Sequence, residues 1–158
     1  MMPSLDAIDR RLLRELIRDA RISLVVLSER AGLSPTACAR RIRKMEEIGI
    51  IKGYSVSLDE AKLDLLMTVI VHITLERQSE DALTEFENEI RNCPDVVSCY
   101  LMSGTDDYRI EVQARDIADY ERIHKHHLSR LPGVARLHSS FAMRCVAKNS
   151  ISPAALRG

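Results

Sequence analysis

The chain has 158 residues, with 23 basic and 23 acidic side chains and therefore no formal net charge at pH 7. Apolar residues make up 46% of it, enough for a globular core, and its four cysteines show neither CxxC spacing nor a secretory context. With no apolar run near the roughly 20 residues of a membrane span and no secretory signal, the sequence predicts a soluble cytoplasmic protein with buried or idle thiols.

Basic residues are concentrated in the first part of the chain. Residues 1–58 hold 11 Lys or Arg against 7 Asp or Glu, whereas residues 59–158 hold 12 against 16. Overall composition therefore points to no polyanionic partner, but the first segment on its own has the charge to bind one.

The first 31 residues predict two helices. Residues 5–20 keep an apolar stripe at helical spacing, with Asp6 placed to cap the first turn. Ser23 caps a second helix of about two turns, which Gly32 ends because glycine accepts the left-handed conformation found after many helices.

A third helix begins after the cap Ser34, carries Pro35 in its first position and runs to about Ile48. One face has three apolar residues at helical spacing: Cys38, Ile42 and Met45. The remaining face is predicted to point outward and is formed by Thr36, Ala37, Arg40, Arg41, Arg43 and Lys44. Its last four residues are cations that lie within five positions of the chain.

The second and third helices, joined by a short turn containing glycine, are typical of a DNA-binding helix-turn-helix. In that motif the cations contact phosphates or guanine, and the small residues Ser34, Pro35, Thr36 and Ala37 approach base edges. A cationic helix face is also an ordinary solvated surface. We expect sequence-specific binding to double-stranded DNA; the alternative is a DNA-compacting protein with little specificity, whose phosphate contacts would look the same in sequence.

The segment after the third helix predicts a short strand and then a polar linker. Alternating polarity places Ile51, Tyr54 and Val56 in the strand. The predicted organisation has four parts. A three-helix winged-type helix-turn-helix domain (residues 1–56) is followed by a linker (57–64), a ligand-sensing and oligomerisation domain, which we call the effector domain (65–147), and a tail (148–158).

The second half predicts strands and helices in the order βαββαβ. The strands are expected at 66–76, 95–104, 107–115 and 134–146, and the helices at 81–92 and 117–131. This order is that of a ferredoxin-like antiparallel sheet with two helices on one face, so the fold class is α+β.

The two faces of this sheet differ in character. In the first strand Met67, Val69, Val71, Ile73 and Leu75 form an apolar side for the helices, and the other side is mixed. The mixed side suits water or a second subunit. Because a two-fold DNA site is matched by a dimer, we expect a homodimer that pairs through this face.

Taken together, these motifs resemble the Lrp/AsnC, or feast/famine, family of transcriptional regulators. The resemblance runs through LDAIDRRLLRELIRDARIS, GLSPTACARRIRKMEEIGIIKGY, PDVVSCYLMSGTDDY and LPGVARLHSSFAM. It implies a regulator of amino-acid metabolism that binds an amino-acid effector, dimerises through its sheets and assembles dimers into octamers. No cofactor is expected besides that effector.

The resemblance also implies an effector pocket between neighbouring subunits. The family's loop of Gly, two variable residues, Asp and Tyr corresponds to Gly104, Asp107 and Tyr108, within the candidate segment Ser103, Gly104, Thr105, Asp106, Asp107 and Tyr108. Glycine lets N–H groups approach a carboxylate, and an acidic side chain takes an ammonium, although the residues alone also fit a hairpin turn. Elsewhere in the domain the resemblance adds His124, His127, Ser139 and Ser140.

Three positions depart from the family pattern. Asp64 stands where glycine is usual, Arg109 and Ile110 where an apolar pair is usual, and the ending SISPAALRG where Leu-Pro is usual. These departures bear on linker geometry, on ligand choice and on the packing of the tail.

Catalysis and metal binding are not expected. His124 and His127 share a helix face, but no carboxylate or cysteine at a matching spacing completes a metal site. No motif groups a nucleophile, a base and an orienting residue.

Overall fold

The computed structural model describes residues 4–157, which form two compact units. The helical unit comprises the residues up to Ser57 together with those from Val146 onward, and the sheet unit is Leu58–Cys145. The segment that the sequence left as a separate tail is therefore grouped with the helices.

The helical unit contains three helices: α1 (Ala7–Arg18), α2 (Leu24–Ala31) and α3 (Pro35–Glu47). Each begins at its predicted cap, because the side chains of Asp6, Ser23 and Ser34 each accept a hydrogen bond from the N–H three residues further on. The Asp9 carboxylate in turn accepts a hydrogen bond from the Asp6 N–H, which completes a capping box. No helix within residues 4–157 is long and apolar enough to cross a membrane.

The interior of this unit is built from the apolar stripes of the three helices. Leu12, Leu27, Cys38 and Met45 are almost fully buried in it. Ile42 packs against the same cluster, so the predicted apolar face of α3 is confirmed.

The predicted strand containing Ile51, Tyr54 and Val56 is wrong for the chain on its own. In the described part of the chain no strand includes these residues, and both Tyr54 and Val56 are largely exposed. A strand requires a partner for its N–H and C=O groups, and local alternation of polarity supplies none.

The sheet unit has four strands and two helices: β1 (Met67–Leu75), α4 (Glu80–Ile90), β2 (Val96–Leu101), β3 (Tyr108–Ala114), α5 (Ile117–His126) and β4 (Val134–Phe141). The strand order is β2-β3-β1-β4 and all three pairings are antiparallel. The predicted ferredoxin-like βαββαβ order and the α+β fold class are confirmed.

The two faces of the sheet are as different as predicted. Val69, Val71, Ile73 and Leu75 of β1 are buried and join Phe86 of α4 and other helix residues in one core. The opposite side, which we call the open face, carries a row across all four strands, formed by the register partners Tyr100, Arg109, His72 and His138.

The two elements that fall furthest short of their predicted lengths are α5 and β4. Helix α5 ends at His126, and only the short 3-10 turn Leu128–Arg130 follows, because Leu131 precedes a proline and is extended. Strand β4 ends at Phe141, the register partner of Val69, and not near residue 146. Beyond it, the Ala142 N–H still donates a 2.9 Å hydrogen bond to the Thr68 carbonyl of β1.

The backbone of Asp64 adopts a conformation that favours glycine, the residue that the resemblance led us to expect at this position. Asp64 has φ +61°, in the left-handed region, and among the described residues it is the one non-glycine with a positive φ. Asp tolerates this conformation better than most residues, so the departure preserves the backbone at the entry to β1.

Candidate functional site

Helix α3 is held in place by its cap, its apolar face and one arginine. The Ser34 hydroxyl accepts a 3.2 Å hydrogen bond from the Ala37 N–H, and Pro35 occupies the first turn. The turn before it is closed by Gly32 at φ +69° and by a 3.0 Å hydrogen bond from Leu33 N–H to the Ser28 carbonyl. The helix-turn-helix geometry thus follows from the local sequence.

The cations of α3 divide into two groups. Arg40, Arg43 and Lys44 are exposed, and within residues 4–157 none is paired with a carboxylate. The prediction that Arg41 points outward with them is wrong: its side chain is 28% exposed, and one guanidinium nitrogen lies 2.7 Å from carboxylate oxygens of both Asp6 and Asp9. The reason is that α1 presents two carboxylates from its capping box where α3 passes.

Small residues occupy the first turn of α3 on its accessible side. Ser34, Pro35 and Thr36 are exposed and Ala37 is half-buried. With Arg40, Arg43 and Lys44 further along, the helix presents small side chains near its N-terminus and positive charge along the rest, the arrangement that major-groove contact requires.

The loop between β2 and β3 is exposed at Ser103, Gly104 and Thr105. The φ of Gly104 lies outside the left-handed region, and a Cβ added there would meet nothing within 4 Å. Within one chain, therefore, neither the backbone nor the available space requires a glycine here.

Both carboxylates of this loop contact β1. Asp107 accepts a 2.7 Å hydrogen bond from the Leu75 N–H, and its own N–H donates to the Ile73 carbonyl at 2.9 Å. Asp106 lies 3.2 Å from Nδ1 of His72. Within one chain Asp107 therefore stabilises the end of β1, a contact with a residue 32 positions away that local sequence patterns do not predict.

Tyr108 is a core residue. It is 1% exposed, its ring centroid lies 4.4 Å from that of Phe86, and its hydroxyl donates to Glu87 at 3.0 Å. Burial, followed by the hydrogen bond to Glu87, raises the pKa of Tyr108 well above its ordinary value. Sequence reasoning missed Glu87, which lies on α4, 21 residues away in the chain.

A cavity of about 380 Å³ lies beside Tyr108, between α4 and β2. It is lined by apolar side chains with a few polar ones among them: Glu87, Ile90, Arg91, Val96, Val97, Ser98, Cys99, Leu101 and Tyr108. Of the ten predicted effector residues, Tyr108 is the one that lines it.

Four predicted effector residues belong to α5, the residue after it, and β4. Ser139 is the register partner of Val71 on the helix-covered side and contacts the Tyr120 hydroxyl at 2.5 Å. Ser140 is paired with Ile70 on the open face. His124 packs edge-on against Tyr120, with ring centroids 6.1 Å apart.

His127 lies just beyond the end of α5, beside a smaller recess of about 190 Å³ that His126 also lines. Within residues 4–157, no three His, Cys, Asp or Glu side chains are grouped to hold a metal ion. The two recesses described here thus each hold one of the predicted effector residues, Tyr108 in the larger and His127 in the smaller.

Each of the two units matches a known protein family. A family described as Lrp/AsnC ligand binding domain matches residues 68–151, and one described as winged helix-turn-helix DNA-binding matches residues 5–52. The Bkd operon transcriptional regulator of Pseudomonas aeruginosa is 41% identical over 152 residues, covering 96% of this chain and 99% of its own. The proline dehydrogenase transcriptional activator of Rhodobacter capsulatus is 40% identical, with coverages of 95% and 97%.

A solved structure has the same architecture over nearly the full length. A transcriptional regulator from Neisseria meningitidis in complex with L-methionine superposes with a TM-score of 0.90 at 29% identity, covering 95% of this chain and 97% of its own. The chain therefore belongs to the Lrp/AsnC family of DNA-binding transcriptional regulators.

Proposed function

We propose that α3 reads an operator in the major groove through Arg40, Arg43 and Lys44, with Ser34, Pro35, Thr36 and Ala37 against the DNA at its N-terminal end. The observation that carries this proposal is the exposure, on one helix, of three cations that have no carboxylate partner within residues 4–157. Even Glu47, four residues beyond Arg43 on the same helix, is not paired with it.

The test compares alanine variants by fluorescence anisotropy on an operator selected from random-sequence DNA. Arg40→Ala and Arg43→Ala are each expected to weaken binding and to lower the slope of log affinity against log salt by about one. Arg18→Ala is the matched control, because its side chain is 73% exposed at the end of α1. Equal binding by the Arg40 and Arg18 variants would refute the proposal.

The effector is an amino acid bound where the loop Ser103–Tyr108 meets a neighbouring subunit. The support is twofold: the N. meningitidis relative was solved with L-methionine, and the two recesses described above each hold one predicted effector residue, Tyr108 in the larger and His127 in the smaller. A site completed by a second subunit accounts for that separation. Thermal shift across the twenty amino acids, with L-methionine first, tests it, since a ligand that binds the native state raises the melting temperature.

A dimer forms through the open face of the sheet. This face combines the polar row Tyr100, Arg109, His72 and His138 with Ile70, on the side of the sheet opposite to the core that α4 and α5 complete. Ile70→Glu in the full chain should weaken the dimer in sedimentation velocity, whereas Thr84→Glu on the exposed side of α4 should not. Two variants that sediment alike would contradict this interface.

Dimers assemble further into octamers, and the amino acid acts on that step. An octamer presents several reading heads to DNA, so a change in dimer–dimer contacts alters avidity without remodelling any α3. Sedimentation and operator binding, each measured with and without L-methionine, should show the size of the assembly and the operator affinity changing together. A change in operator affinity at constant assembly would refute this mechanism.

A further inference from the structure

The C-terminal turn Pro153–Leu156 contributes to the interior of the helical unit. Leu156 is 6% exposed and belongs to the same apolar cluster as Leu12, Leu13 and Cys38. Its neighbours Ala155 and Arg157 are exposed, so a single side chain anchors the turn. More than 100 residues of chain separate Leu156 from the residues it packs against.

Two arginines of α1 bind the backbone of this turn. Arg10 donates a 2.9 Å hydrogen bond to the Ala155 carbonyl, and Arg14 donates to the Leu156 carbonyl. Carbonyls at the end of a helical turn have no partner within it, and guanidinium groups supply several donors in a fixed geometry. The surface of α1 therefore fits a short peptide with two free carbonyls and one branched apolar side chain.

The ion pairs between α1 and α3 involve different residues from those that bind the turn. The first turn of α1 holds Arg41 through Asp6 and Asp9, while its next turns hold the C-terminal turn. The chain also passes between the two units twice, once after Ser57 and again after Cys145. The turn Pro153–Leu156 thus lies at the end of the second connection, the segment that follows Cys145.

We propose that residues 153–156 are an intramolecular ligand of α1 which, through α1, holds α3 in its DNA-reading position. The segment from β4 to this turn is then a second link between the effector and DNA-binding units, in addition to the linker before β1. The effect on DNA rests on the proposed function of α3, whereas the docking rests on the contacts alone.

The experiment uses the full chain with Leu156→Ala, and with Ile151→Ala as the matched control. Both changes remove a branched side chain from the same tail, but Ile151 is 46% exposed. Hydrogen exchange should show the amides of α1–α3 opening at least about tenfold more often in the Leu156 variant, with the amides of β1 unchanged. Operator affinity should fall in the same variant and stay at the wild-type value in the control.

A second pair of variants keeps the test decisive if Leu156→Ala does not fold. Arg14→Ala removes the donor to the Leu156 carbonyl, and the exposed Arg11→Ala is its control. Equal exchange in α1–α3 for each variant and its control would overturn the docking. Faster exchange with operator affinity unchanged would overturn the effect on α3. A wild-type protein that binds no DNA would refute the proposed function. Hydrogen exchange in α1–α3 would in that case still show whether residues 153–156 dock on α1.

Discussion

Arg41 of α3 and Asp9 of α1 are joined by a 2.7 Å hydrogen bond between opposite charges, and Asp6 contacts the same guanidinium nitrogen at 2.7 Å. The hydrogen bonds that Arg41 donates to Asp9 and Asp6 raise the pKa of Arg41. The pKa of Asp6 is lowered, first by the hydrogen bond from the Asp9 N–H and then by Arg41. One of the four cations in the basic run therefore fastens α3 to α1.

Arg41→Ala should destabilise the helical unit. Loss of a partly exposed ion pair costs about 1 kcal/mol at the upper end of the usual range, which lowers the melting temperature of a unit of this size by roughly 4–8 °C. Arg40→Ala is the control, because Arg40 is exposed and has no carboxylate partner in residues 4–157. Differential scanning calorimetry measures both variants, and equal melting temperatures would show that the ion pair contributes nothing.

Acid should weaken the same contact. A carboxyl whose pKa is lower in the folded state contributes stability above its unfolded pKa, near 4, and loses that contribution as the pH falls through its folded pKa. The pKa of Asp6 is shifted in that direction. Urea unfolding between pH 6 and pH 2 should therefore show a smaller loss of stability in Arg41→Ala than in wild type. Parallel pH profiles would contradict a role for the pair.

Features that depend on neighbours in sequence were predictable. Caps and glycines lie within a few residues of the helix ends they specify, so Asp6, Ser23, Gly32 and Ser34 located the three helices. Strict alternation in β1 and β3 likewise identified the covered face of the sheet, because both strands lie in its centre with helices on one side.

Features that depend on residues distant in sequence were not predictable. Nothing local to Arg41 shows that Asp6 and Asp9 will face it across 32 to 35 residues. Nothing in the C-terminal sequence identifies α1 as the surface that Leu156 packs against. The strand predicted around Tyr54 failed for the same reason, since pairing depends on a partner that periodicity does not specify.

The cysteines should differ in reactivity. Cys145 is exposed, whereas Cys38 is fully buried. Burial raises the pKa of Cys99 to about 11 and also raises the pKa of Cys93. At pH 8 Ellman's reagent should label about one thiol per native chain quickly, because the thiolate is the nucleophile. Cys145→Ser should remove that fast phase; if it persists, another thiol is accessible.

Asp107 combines a structural contact with a predicted role in ligand binding. Its carboxylate accepts the N–H of Leu75, a residue that is 3% exposed, so truncation would leave a buried donor without a partner. Such a donor costs about 1–3 kcal/mol. Asp107→Ala alone would therefore mix the loss of an effector contact with a loss of stability.

Asp107→Asn separates the two roles, because the amide oxygen still accepts the Leu75 N–H while the negative charge is lost. If Asp107 takes the effector's ammonium, the Asn variant should keep a melting temperature close to wild type and its ligand-free operator affinity. In calorimetry it should bind more weakly whichever amino acid raises the wild-type melting temperature most. The Ala variant should lose both stability and binding. An Asn variant that binds that amino acid as wild type does would assign Asp107 to the fold of the β2–β3 loop and place the ammonium elsewhere. Asp106, the other carboxylate of the loop, 3.2 Å from His72, would then be the next residue to substitute.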